Sequence, residues 1–120
     1  MKNLLIVFTL TLVFFTNSVA QEVQTVQLEQ TKGQFTQQEV TLKAGTYIFE
    51  ISNHNVDHKV GFVLAPKGKT SQKDHIKEAY VTKTIDIGEK SSSQEVTLEK
   101  GEYVYFCPLN PTPQYRLRVE

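Results

Sequence analysis

Few side chains in this sequence have the chemistry for a reactive or ligand-binding site. It holds one cysteine, Cys107, three histidines, His54, His58 and His75, and a single methionine, Met1. A thiol and an imidazole can form a nucleophile pair, in which the ring takes the thiol proton, or they can share a metal ion. The nucleophile reading lacks a third residue to orient the ring and an oxyanion feature, and no Cys-x-x-Cys suggests disulfide exchange. An enzyme is therefore not expected. The lone thiol is otherwise a small buried core residue, a partner for a cysteine on another chain, or a metal ligand.

Strand parity says where that thiol points. In Tyr103-Val104-Tyr105-Phe106-Cys107, Tyr103, Tyr105 and Cys107 share one face while Val104 and Phe106 share the other. Both faces are apolar, which predicts a central strand. Pro108 cannot donate a ladder hydrogen bond, so the strand ends at Cys107. The loop beyond, Asn110-Pro111-Thr112-Pro113-Gln114-Tyr115, is stiffened by two prolines. It suits a fixed ligand geometry, or a recognition surface anchored by Tyr115.

The elements that must hold these residues read as all-β. Short alternating segments bounded by turn residues cover 23–28, 35–42, 46–51, 59–64, 81–87, 95–98, 103–107 and 115–119. One helix is expected over 71–79, capped by Thr70 or Ser71, with Asp74 in capping-box spacing and Ile76, Ala79 and Tyr80 on its inner side. An internal echo joins the halves: 39–47, EVTLKAGTY, matches 95–103, EVTLEKGEY. Both copies read as hairpins whose glycine takes a positive φ.

Two segments are expected along the chain. Lys2, the apolar run from Leu4 to Phe15 and Ser18-Val19-Ala20 have the three-part plan of a secretory signal over 1–20, cleaved before Gln21. The run is too short for a membrane span. Residues 21–120 then form one domain, exported to a periplasmic or extracellular setting. Without Lys2, twelve basic side chains face thirteen acidic ones, a near-neutral balance that draws the protein to neither nucleic acid nor anionic membrane. A single cysteine allows no internal disulfide, so one hydrophobic core must suffice.

Two blocks resemble the cupredoxin family, the blue-copper proteins. The first is Phe49-Glu50-Ile51-Ser52-Asn53 leading to His58-Lys59-Val60-Gly61-Phe62, similar to the family's strand, Asn, loop, then His-x-Val-x-Phe. The second is Gly101-Glu102-Tyr103-Val104-Tyr105-Phe106-Cys107, similar to Gly-x-Tyr-x-aromatic-x-Cys. The resemblance spans roughly residues 35 to 120. It implies a Greek-key β-sandwich, cupredoxin-like, with copper as cofactor and a redox or copper-delivery protein as partner. It also implies a site of one thiolate, two imidazoles and a weak axial ligand. His58 matches the first histidine and Cys107 the thiolate. Asn110 stands where the family has Cys-x-x-His, and Tyr115 where an axial methionine often sits. The expected metal residues are thus His58, Cys107, His54 and Asn110, with Gln114 and the more distant His75 as further donors. A Cys-His-His set suits copper or zinc by ligand softness. The alternative is a metal-free cupredoxin-like interaction or structural module.

Overall fold

The computed structural model describes residues 22–120, so the expected signal and its cleavage site lie outside the described residues. The described residues form nine strands: β1 (Val23–Thr31), β2 (Gln34–Phe35), β3 (Glu39–Leu42), β4 (Gly45–Asn53), β5 (Val63–Pro66), β6 (Lys90–Ser92), β7 (Val96–Leu98), β8 (Gly101–Phe106) and β9 (Tyr115–Val119). They make two sheets. The first runs β2-β1-β4-β6, with β7 also pairing β4; the second runs β3-β9-β8-β5. The β1–β4 and β3–β9 pairs are parallel, and the others are antiparallel. The fold is an all-β sandwich, as the alternation implies.

Period-two patterning fills the space between the sheets. Tyr47, Phe49 and Ile51 point inward from β4, Leu28 from β1, and Leu117 and Val119 from β9. Aromatic rings knit the middle: Phe35 meets Tyr105 edge-on at 5.1 Å between centroids, and Phe49 stacks on Phe62 at 5.3 Å. Such pairs add roughly 1 kcal/mol each beyond the area they bury.

The two-sided apolar strand is central, as parity predicts: β8 lies between β5 and β9. Its outward residue Val104, with Val63 and Ala65 of β5, is buried because residues 67–80 lie across that face. Here the expected helix over 71–79 is corrected to two single 3-10 turns, Gln72–Asp74 and Lys77–Ala79. Ile76 between them is extended, and its N–H donates to the Leu64 carbonyl at 2.8 Å. That bond covers the open edge of β5 and interrupts any helical ladder through Ile76. Ser71 makes no side-chain cap.

Other boundaries shift for similar reasons. The expected strand over 35–42 is divided at residues 36–38, the one over 59–64 becomes a strand only at Val63 with an isolated bridge from Val60 to Ile85, and 81–87 contributes just isolated bridges at Val81 and Ile85. Strand β6 was not expected; Lys90-Ser91-Ser92 pairs with β4, and Lys90 Nζ lies 3.9 Å from the Glu50 carboxylate of that strand.

The internal echo is real but is not a pair of hairpins. In one copy the chain passes from β3 in the second sheet to β4 in the first; in the other it passes from β7 back to β8. Both are corners between sheets. Neither Gly45 nor Gly101 has a positive φ. Instead each lies under an aromatic ring two residues later: a Cβ on Gly45 would sit 3.8 Å from the Tyr47 ring, and one on Gly101 3.7 Å from Tyr103. Each tyrosine then donates its hydroxyl four residues back, Tyr47 to the Lys43 carbonyl at 2.6 Å and Tyr103 to the Glu99 carbonyl at 2.8 Å.

Candidate functional site

The thiol sits at the end of the sandwich away from these corners. Cys107 follows β8 directly and is fully buried. Its own N–H leaves the ladder and donates to Thr112 Oγ1 at 3.0 Å, closing the proline-rich loop on itself. Cys107 Sγ accepts two backbone hydrogen bonds, from Gly61 N–H and Asn110 N–H, each at 3.3 Å.

Those two donors belong to a closed circuit. The Gly61 carbonyl accepts from Gln30 Nε2 at 2.7 Å. Gln30 Oε1 accepts from Asn110 Nδ2 at 3.0 Å, and the Asn110 N–H returns to the sulfur. Asn110 makes two further bonds: Nδ2 donates to the Thr31 carbonyl at 2.9 Å, and Oδ1 accepts from Gly33 N–H at 2.7 Å. The amide orientations are forced, because the Gly61 and Thr31 carbonyls only accept and Gly33 N–H only donates. No carboxylate, ammonium or guanidinium takes part, and Gln30, Gly61, Cys107 and Asn110 are all buried. Burial without charge is tolerated here because each amide has its partners.

The histidines lie outside this circuit. Asn53, the last residue of β4, donates from Nδ2 to the His58 and Ile85 carbonyls, both at 3.1 Å, and its Oδ1 accepts the Val56 N–H at 2.9 Å. This pins loop 54–60 with Val56 and Val60 inward and His54 and His58 exposed. The Asn53-His54-Asn55 turn is polar, as expected, with Asn55 at φ 66°. His58 Nδ1 lies 3.1 Å from the Lys59 carbonyl and so carries hydrogen. His54 Nε2 is 3.3 Å from Asn55 Nδ2. His75 lies on the outer face of the second sheet, edge-on to Phe106. Its Nε2 donates to the Thr70 carbonyl at 3.1 Å, and Nδ1 sits 2.8 Å from the Tyr80 hydroxyl. Gln114 is exposed. Tyr115 accepts the Phe35 N–H at its hydroxyl, 3.3 Å away.

Cys107 and Asn110 are joined by a hydrogen bond, while His54 and His58 are exposed and none of the three histidines shares a hydrogen bond with either residue. Among the described residues, no three His, Cys, Asp or Glu side chains are gathered as a metal would need. Asn110 Oδ1 and Gln30 Oε1 already accept hydrogen bonds, and the residue preceding Gly61, beside the sulfur, is apolar Val60. In this arrangement the donor set does not fit copper, which asks for a thiolate with imidazoles close at hand. Gln30 is the participant that sequence reading missed. Its signal was a polar residue on the inward row after Val26 and Leu28.

Deeper in the core, Tyr105 donates its hydroxyl to the Gln37 carbonyl at 2.6 Å. Burial first, then the neighbouring Tyr115 and Glu39, push its ionisation well above that of an ordinary tyrosine.

A two-sheet β-sandwich with a buried thiol at the end of its central strand is a cupredoxin-type domain. The family model of the cupredoxin-like domain matches residues 4–117, and the chain belongs to that family. Among solved structures, it is similar to auracyanin B, with a TM-score of 0.66 and 20% identity over 81% of this chain and 88% of that one. Auracyanin A, a "blue" copper protein from Chloroflexus aurantiacus, follows at 0.65 and 18% identity, covering 82% of this chain and 100% of that one. Amicyanin from Paracoccus versutus gives 0.53 and 22% identity over 80% and 81%. At these identities the likeness is one of fold. No curated protein matches the chain. The domain thus shares its fold with a blue copper protein, and among the described residues no helix is long and apolar enough to cross a membrane.

Proposed function

We propose that the chain is an exported cupredoxin-like module that binds a partner protein through the end of the sandwich carrying Cys107, and does not cycle a copper ion there. The observation that carries this reading is the circuit Cys107–Gly61–Gln30–Asn110. The donors nearest the sulfur are spent on one another, and both loop imidazoles face solvent. The surface over the circuit suits contact. Leu109, whose side chain lies over Gly61, is 49% exposed, and Ile87, in the turn bonded to Asn53, is 54% exposed. Export rests on the Lys2, apolar-run and Ser18-Val19-Ala20 pattern; a mature N-terminus at Gln21 by mass spectrometry tests it.

The decisive measurement adds Cu(II) to the purified protein and records its visible spectrum and thermal unfolding. A metal held only by the folded state at a hundred times its Kd stabilises by about 2.7 kcal/mol, an unmistakable rise in Tm. We expect no intense thiolate-to-copper absorption and no such rise. An intense band that disappears in Cys107→Ala overturns the reading.

The competing reading is copper handling or electron transfer at an atypical site of Cys107, His58, His54 and Asn110, with a redox or copper-delivery partner. Two N–H groups aimed at Sγ favour it, since they suit a charged sulfur as well as a thiol. It requires Asn110 to release Gln30 and a histidine loop to turn inward.

A further inference from the structure

At the Cys107 end the chain crosses between the sheets from β2 to β3 and from β4 to β5, and side-chain bonds tie these crossings together, three from Asn110 and one from Gln30. Gln30 and Thr31 belong to β1 of the first sheet, and Gly33 to the turn that follows it. Cys107 and Asn110 belong to the loop between β8 and β9 of the second sheet, and Gly61 leads into β5 of that sheet. Bonds from Asn110 to Gln30, Thr31 and Gly33, from Gln30 to Gly61, and from Gly61 to the sulfur tie three loops that are distant in sequence.

We propose that the Gln30–Asn110 amide pair is a clasp: it joins the sheets at this end, opens as one unit, and by opening uncovers the Cys107 thiol. The physical basis is the closed circuit. Each member's second bond leads to another member, so losing one amide frees the next, and no charged or solvent-facing group stands by to replace it. Each loop has bonds of its own, from Asn53 in 54–60 and Thr112 beyond Cys107, and His54 N–H donates to the Gln30 carbonyl; the amide pair links these to the Gly33 turn, which has a positive φ and open space around it, while Leu109 covers Gly61 from the exposed side. Opening is therefore confined to the loops, while the β4 and β8 ladders stay closed. The clasp does not depend on the metal-free reading, because its test is run without metal and either can fail alone.

The test begins with amide exchange in the wild-type protein. The N–H groups of Gly33, Gly61 and Asn110, in three loops that the clasp ties to one another, are expected to exchange within roughly threefold of one another and faster than those of Phe49 and Tyr105. The rate at which iodoacetamide labels Cys107 in the native protein is then compared across variants. Gln30→Met keeps the volume and removes both bonds, and Asn110→Ala removes the other partner. Each is expected to speed labelling by roughly tenfold or more, and the double variant by little beyond the faster single one, the mark of shared bonds. Tyr47→Phe, which removes a hydrogen bond at the far end, is expected to leave labelling near the wild-type rate. Labelling that follows global stability in every variant overturns the clasp, as do singles whose effects multiply. Should Asn110→Ala fail to fold, a wide spread among the three wild-type exchange rates overturns it equally.

Discussion

The two ends of the sandwich secure their sheet-to-sheet crossings by different means. At the corner end the chain itself crosses, twice, and each crossing is locked by a tyrosine that bonds four residues back over a glycine. At the Cys107 end the chain also crosses twice, from β2 to β3 and from β4 to β5, but these crossings are tied by side chains 31, 77 and 80 residues from their partners. A local lock can fail alone and leave the rest of the domain in place. A clasp shared among three loops fails together. The comparison teaches where sensitivity should lie: in an uncharged amide pair, rather than in the histidines that the family likeness draws attention to.

The largest effect tests the clasp. Asn110→Ala removes three side-chain bonds and leaves Gln30 Oε1, the Thr31 carbonyl and Gly33 N–H short of a partner. A buried orphan of this kind costs about 1–3 kcal/mol. Because the bonds share partners, the total is set at about 3 kcal/mol rather than their sum. For a domain near 100 residues this lowers Tm by roughly 15 °C, measured by calorimetry. A loss below about 1 kcal/mol, the scale of an ordinary surface change, would erase the contrast between the two ends.

The second effect lies between the ends. Tyr105 is neutral in the core, and its folded ionisation lies above its unfolded value near 10. Between those two values the unfolded chain binds fewer protons than the native one, so stability is full below pH 10 and falls as pH rises towards the folded value. Urea midpoints measured from pH 8 to 11 should show that decline. Tyr105→Phe should be less stable at pH 8, having lost its bond to the Gln37 carbonyl, but should decline less steeply. An unchanged slope would mean that other groups govern alkaline unfolding.

The corner end should respond more mildly. Tyr47→Phe loses one hydroxyl bond from a buried ring and is expected to cost about 1 kcal/mol, and the more exposed Tyr103→Phe about half that. Urea unfolding of both variants and their double sharpens the comparison, since two separate local locks should add. A double-variant loss well beyond the sum would make the corners a second shared structure.

What the sequence made legible follows the same division. The all-β class, the central strand ending at Cys107 and the duplicated corner all depend on alternation, a proline or a repeated local string. They were readable because their physics is local. The corner's mechanism was misread as positive-φ glycine, since a turn and a ring stacked over glycine leave the same G-x-Y trace. The 71–79 segment satisfies helical spacing, yet Ile76 is claimed by the Leu64 carbonyl, a demand set by the open edge of β5. The site fared worst. Asn110 was singled out through the family likeness, but its partners Gln30, Thr31 and Gly33 lie at the distant end of β1 and in the turn after it, where no spacing rule links them to Asn110. Whether His58 points in or out is decided by Asn53 holding its carbonyl, which no spacing rule contains.

The smallest expected effect bears on the histidines themselves. Removing either exposed ring, His58→Ala or His54→Ala, takes away one hydrogen bond at the surface and strands no buried partner. Each change should move stability by no more than about 0.5 kcal/mol and leave the iodoacetamide labelling of Cys107 unchanged. If the two rings do join the thiol around copper, the same variants stay silent in stability without metal but abolish a copper-dependent rise in Tm. Running each variant with and without Cu(II) thus separates the readings even when the metal-free values agree. Silence in both conditions, beside a large loss at Asn110, places the weight of this end of the molecule on its amides.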